Sequence, residues 1–134
     1  MGVLIAILAT LFLAGCASAP TQESTPPRQI VCRPGPDCDA KWSRAVSWVT
    51  TNSSYKIQAQ TDSIIQTMGP LRYDTRPAFT VTKVALPNGS YEITFNGGCD
   101  NIIECIPSVS ESRTKFTDFV LAVEATTTPA TRIR

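Results

Sequence analysis

One stretch restricts the fold more than any other: "AFTVTKVALPNGSYEITFN", residues 78–96. Two β-rich runs flank Asn88-Gly89, the strongest short hairpin cue, because a type I′ turn needs positive φ at both central positions. A two-residue loop pairs Leu86 with Tyr91, Val84 with Ile93 and Thr82 with Phe95. That register sets Val84, Leu86, Tyr91, Ile93 and Phe95 on one face as core. Lys83, Glu92 and Thr94 take the other face. A slip of one residue would put Tyr91, Ile93 and Phe95 opposite the polar set, so this register is expected to be well specified.

Other elements follow from periodicity. "DCDAKWSRAVSWVTTN" predicts a helix, with Trp42, Ala45, Val46 and Val49 at i, i+3, i+4 and i+7. Asp37 or Asp39 is expected to cap it, and Trp48 falls outside the stripe, at the edge of the core. "YKIQAQ" alternates as a half-buried strand, "TDS" suggests a turn, and "IIQTM" a second strand ending at Gly69 and Pro70. A single bent strand through Thr67 is the alternative. Residues 70–77 read as a surface loop, and Gly97-Gly98 as a sharp exit from the last strand. Ser108 and Glu111 have capping-box spacing, followed by the stripe Phe116, Phe119, Val120 and Val123. The order α-β-β-β-β-α predicts a two-layer α+β sandwich, an antiparallel sheet of about four strands with both helices on one face. The domain is expected over 32–125, with a disordered polar tail over 126–134.

At the other end of the chain, the apolar run Val3–Ala14 would make a helix roughly 18 Å long. A bilayer core is about 30 Å thick, so the run suits a secretion signal better than a span. It lacks the usual Lys or Arg before it, and Ala6 stands where N-myristoylation needs Ser or Thr. The following "LAGC", Leu13 to Cys16, resembles the lipobox of bacterial lipoproteins. The resemblance implies a signal peptide over 1–15, cleavage before Cys16 and acylation of Cys16 by diacylglycerol and a further chain such as palmitate. Membrane lipid is then a partner through Cys16. Ala17, where Asp would imply inner-membrane retention, implies an outer-membrane protein facing the periplasm. Residues 16–31, rich in Pro, Ser and Thr, are expected to be a flexible tether. The W-x2-A-x2-W-V helix, "YKIQ", "YEITF" and C-x5-C-x-P also resemble an uncharacterised group of small proteobacterial lipoproteins. That group supplies no activity to carry over.

The chain has five Cys. With Cys16 lipidated, Cys32, Cys38, Cys99 and Cys105 remain, an even set that suits two disulfides in an oxidising compartment. Three connectivities are possible. Turn residues between the members of each C-x5-C unit favour the local pairs, Cys32–Cys38 and Cys99–Cys105. A four-thiolate zinc site is the competing reading, but zinc usually takes closer spacing.

The chemistry that remains is sparse. Lys plus Arg is 12 and Asp plus Glu 11, a net charge of +1, so a nucleic-acid partner is not expected. With no His in the chain, His-based catalysis and most catalytic zinc sites are excluded. Asp37 with Asp39, and Asp100 with Glu104, are the available carboxylate pairs, but each sits beside a helix cap or a disulfide loop. No enzyme activity, cofactor or metal is expected. Trp42 and Trp48 could form a ligand platform, although core packing accounts for them. The loop residues Arg72, Tyr73, Asp74 and Arg76 mix charge with an aromatic and form the candidate binding loop. The wet sheet face, with Lys56, Gln58, Lys83, Glu92 and Thr94, is a second candidate. The expectation is a lipid-anchored, non-catalytic envelope module that binds an envelope protein or the cell wall. The alternative is a small exported enzyme or an inhibitor of a wall-degrading hydrolase.

Overall fold

The structure, a computed structural model, describes residues 27–122. The signal, Cys16, most of the expected tether, Val123 and the tail lie outside them. In chain order the elements are β1 (Ile30–Cys32), α1 (Pro36–Asn52), β2 (Ile57–Gln60), β3 (Ile64–Thr67), β4 (Ala78–Ala85), β5 (Tyr91–Gly98) and α2 (Val109–Leu121). The strands form one antiparallel sheet in the order β1-β5-β4-β3-β2. With the two helices this is the expected α+β sandwich, carrying five strands rather than four. The additional strand comes from the end of the segment expected to be tether. Ile30 and Cys32 are buried while Val31 faces out, and Ile30 pairs with Ile93. Three residues are too short a run for alternation to announce a strand.

The hairpin forms, but its register differs by one residue. Ala85 pairs with Tyr91, Lys83 with Ile93 and Val81 with Phe95. The loop is longer than expected: the Leu86 N–H donates to Ser90 O (2.8 Å), and the Gly89 N–H to Leu86 O (3.0 Å). Gly89 has φ 82°, whereas Asn88 is not in the left-handed region. Pro87, with φ fixed near −65°, suits the first central position of a type I turn, and Gly89 then supplies the left-handed residue of a three-residue loop. The shift sends Val84 outward and brings Lys83 to the helix side. There its ammonium lies 5.1 Å from the Trp42 ring and 5.8 Å from the Tyr91 ring, a placement stabilised by the negative face of each ring.

Between β2 and β3 the chain turns rather than bends. Thr61 Oγ1 accepts from the Ser63 and Ile64 N–H groups, and the Thr61 N–H donates to Ile64 O.

Trp48 is at the centre of the core, not its edge. It is 5% exposed, with ring centroids 5.4–5.6 Å from Phe79, Phe95 and Phe116. These are tilted and edge-on contacts, favourable for aromatic quadrupoles. The indole of Trp42 donates to Thr61 O (3.1 Å), so both tryptophans are structural. On α2 the buried stripe is Ser112, Phe116, Thr117 and Val120. Phe119 is exposed, because Phe116 and Val120 at i, i+4 already set the inward face and Phe119 lies off that line.

Helix ends are handled differently in the two cases. Gly35 precedes α1, with Pro36 in its first turn, where a missing N–H costs nothing. Asp37 does not cap; its carboxylate accepts from the Arg33 N–H (2.8 Å) and pairs with Lys41 (3.1 Å). Lys41 is itself buried and also donates to Val31 O (3.0 Å). On α2, Ser108 Oγ accepts from the Glu111 N–H as expected, while the Glu111 carboxylate turns to Lys115.

Both disulfides are the local pairs, Cys32–Cys38 and Cys99–Cys105. No described helix is long and apolar enough to cross a membrane.

Candidate binding surface at the loop end of the sheet

Strand register sorts the connections to two ends. Cys32 opposite Tyr91 puts the Cys32–Cys38 disulfide beside the β4–β5 turn, and the Thr61–Ser63 turn joins β2 to β3 at that same end. Ala78 opposite Gly98, and Gln66 opposite Thr80, place residues 68–77 and 99–107 at the opposite end. The candidate loop therefore lies beside the second disulfide loop.

Several contacts hold the 68–77 loop in one shape. Gly69, at φ 85°, lies so close to the Tyr55 ring that a Cβ would be 3.1 Å from it. The peptide before Pro70 is cis. The Tyr55 hydroxyl donates to Asp74 Oδ2 (2.9 Å) and accepts from the Leu71 N–H (3.2 Å). Asp74 holds Arg76 through Nε and a terminal guanidinium nitrogen at 2.6–3.0 Å, and also accepts from the Arg76 N–H. The Arg76 guanidinium is 5.3 Å from the Tyr55 ring. These donors, with Arg76 first, hold the Asp74 carboxyl well below the usual carboxylate range, and Asp74 in turn raises Arg76. The pair is thus committed to its own loop.

A second set of contacts ties this loop to the disulfide loop. Asn101 Nδ2 donates to Asp74 O (3.1 Å) and Glu104 O (3.2 Å), and lies 3.1 Å from Cys99 Sγ. Its Oδ1 accepts from the Ile103 N–H. The Ile106 N–H donates to Thr75 O (2.8 Å), and Arg72 forms a backbone bridge with Asp100. Fixing the backbone leaves the side chains between these contacts pointing to water. Ile102 is 97% exposed, Ile103 85% and Tyr73 72%. Met68, Leu71 and Ile106 are also exposed. Tyr73 adopts φ 61°, uncommon for a residue with a Cβ, and Arg72 lies 4.9 Å from its ring.

Of the four expected loop residues, Arg72 and Tyr73 are presented outward, while Asp74 and Arg76 serve as internal struts. Tyr55 and Asn101, expected only as a strand and a turn residue, brace the surface, and Ile102, Ile103 and Ile106 join its exposed part. The signal is "CDNIIEC": a disulfide loop closing over a sequence separation of six is too short to enclose two adjacent isoleucines.

The remaining candidates are less developed. With Lys83 on the helix side, the second candidate keeps Gln58, Glu92 and Thr94, and Lys56 is exposed just before β2. A groove of about 670 Å³ runs between Pro27–Ile30, residues 92–96 of β5, and Arg113 and Thr117 of α2, with Glu92 as its carboxylate. Asp37 is engaged by Arg33 and Lys41, which hold its carboxyl below the usual range. Among the described residues no group of three or more His, Cys, Asp or Glu could hold a metal ion.

No protein-family model, curated protein or solved structure matches the chain.

Proposed function

We propose that the chain is a lipid-anchored lipoprotein of a bacterial outer membrane, whose domain acts by binding an envelope component and not by catalysis. The observation that carries this reading is the loop end of the sheet. Hydrogen bonds, an ion pair and a disulfide spend the local polar groups on each other, and large apolar side chains are left facing water. Soluble domains rarely expose such clusters except at interaction sites. "LAGC" supports the anchor, with Cys16 as the acylated residue and the mature chain beginning there. The domain is then periplasm-facing.

Mass spectrometry and fractionation test the anchor. Wild-type protein is expected in the outer-membrane fraction with acyl chains on Cys16. Cys16→Ser is expected to stay uncleaved or leave that fraction. Normal processing and membrane retention of Cys16→Ser would refute the lipoprotein reading. Binding is tested by crosslinking in intact cells from the loop end against the turn end. Equal, non-specific labelling from both would refute the assignment of the surface.

A further inference from the structure

We infer that the envelope component met by the loop end is the lipid bilayer itself: the Cys99–Cys105 loop and residues 68–73 form an apolar foot that dips into the leaflet holding the anchor. This rests on the proposed acylation of Cys16.

The first argument is direction. β1 is antiparallel to β5, with Ile30 opposite Ile93. The chain before Ile30 therefore runs the way β5 runs toward Gly98, and Pro27 lines a groove together with Asn96. The described chain at Pro27–Ile30 therefore points, on its N-terminal side, toward the end that carries Ile102, Ile103 and Tyr73. Residues 17–26 link Cys16 to Pro27, and a fully stretched chain of that length spans at most about 40 Å. The foot is confined near the leaflet, so even a weak apolar contact is populated through its high effective concentration.

The second argument is chemistry. The tips are aliphatic, and the adjoining loop exposes Tyr73 and Arg72, an amphipathic ring and a long cationic side chain suited to the headgroup level. Two of the backbone donors that would resist leaving water are engaged within the loops: the Ile103 and Ile106 N–H groups both have acceptors. Charge does not explain an attraction to lipid. Arg76 is paired with Asp74, and Asp100 and Glu104 outnumber Arg72, which leaves the foot a formal charge of −1 and no attraction to anionic headgroups. Contact should accordingly be insensitive to salt, unlike a polybasic patch.

The test uses the full lipidated chain, reconstituted into phosphatidylethanolamine–phosphatidylglycerol vesicles with brominated acyl chains. Ile102→Trp places a reporter at the foot, and Asp62→Trp places one at the opposite end. Trp42 and Trp48 are buried and common to both. The emission added by Ile102→Trp is expected to fall by roughly half or more, at an insertion depth of about 5–10 Å, while that of Asp62→Trp is unchanged. Adding Ile103→Asn to Ile102→Trp should reduce the quenching. Equal quenching at both positions, with the protein co-floating with vesicles and Cys16 acylated, overturns the foot and leaves the anchor standing. Absence of acyl chains on Cys16 overturns the anchor, and the foot with it. A photo-crosslinker at Ile103 that captures a protein in place of phospholipid in intact cells assigns the surface to a protein and also overturns the inference.

Discussion

Cys32 and Cys38 are almost wholly buried, and their bond joins the end of β1 to the first turn of α1, under the core. Cys99 and Cys105 have the same spacing, but they close a loop whose isoleucines face water. The first disulfide lies where the end of β1 meets the first turn of α1, within the buried core, so its sulfurs are packing material. The second lies outside the sheet, where its role is to restrict a loop that has no core of its own. Equal sequence spacing therefore does two jobs, determined by what flanks it. The two ends of the sheet divide along the same line: tight polar turns at one, a braced apolar surface at the other.

The comparison breaks first if the two disulfides prove equivalent. Replacing Cys32 and Cys38 by Ala should destabilise the domain by about 3–4 kcal/mol, the loop-closure term plus lost packing. Replacing Cys99 and Cys105 should cost about 1–2 kcal/mol, part of the loop entropy already being restricted by Asn101. Denaturant melts of both double variants check this, and equal losses would show that burial does not distinguish them.

The glycines at opposite ends sharpen it next. Gly69→Ala forces a Cβ against the Tyr55 ring as well as an unfavourable φ, and should cost about 2 kcal/mol. Gly89→Ala meets nothing within 4 Å, so only the backbone term remains, about 1 kcal/mol. Thermal melts should rank them in that order.

Asn101→Ala removes the brace between the two loops and should cost about 1 kcal/mol. Its distinctive mark is faster hydrogen exchange at Ile103 and Ile106, with the β4–β5 amides unchanged. If exchange rises evenly across the sheet, the loops are not a separate unit.

Acid should affect the loop end through Asp74. Its folded pKa is depressed, so its stabilising effect is present above the unfolded value near 4 and lost as pH falls through the lower folded value. Asp74→Asn should flatten the acid limb of stability below about pH 4 while leaving the Cys32–Cys38 end untouched. An unchanged acid limb would remove Asp74 as its cause.

Patterned segments were readable in the sequence: the α1 stripe, the β2 alternation, the Ser108 cap, the hairpin and the two local cysteine pairs. Departures occur where a local rule met a competing constraint. At the hairpin, Pro87 displaced the two-residue turn favoured by Asn88-Gly89, and a single residue of loop length moved Val84 out and Lys83 in. Trp48 was assigned to an edge because helical spacing ranks faces by count, whereas this helix buries a wide face under three phenylalanines. The surface was less readable than the fold. Arg72 to Arg76 drew notice as a charged loop, yet Asp74 and Arg76 neutralise each other. The exposed isoleucines are conspicuous only once the neighbouring loop is known, and that adjacency comes from pairing Ala78 with Gly98.

Ile30–Cys32 has a mechanical consequence. A load arriving from the N-terminal side pulls along β1, in shear against β5. It can detach only Ile30 and Val31 before reaching Cys32. There the disulfide passes the force into the first turn of α1, bypassing residues 33–37. The sheet and helix then share the strain, and the domain behaves under tension as a knot drawn tight at its first loop, not as a thread unwinding from its end.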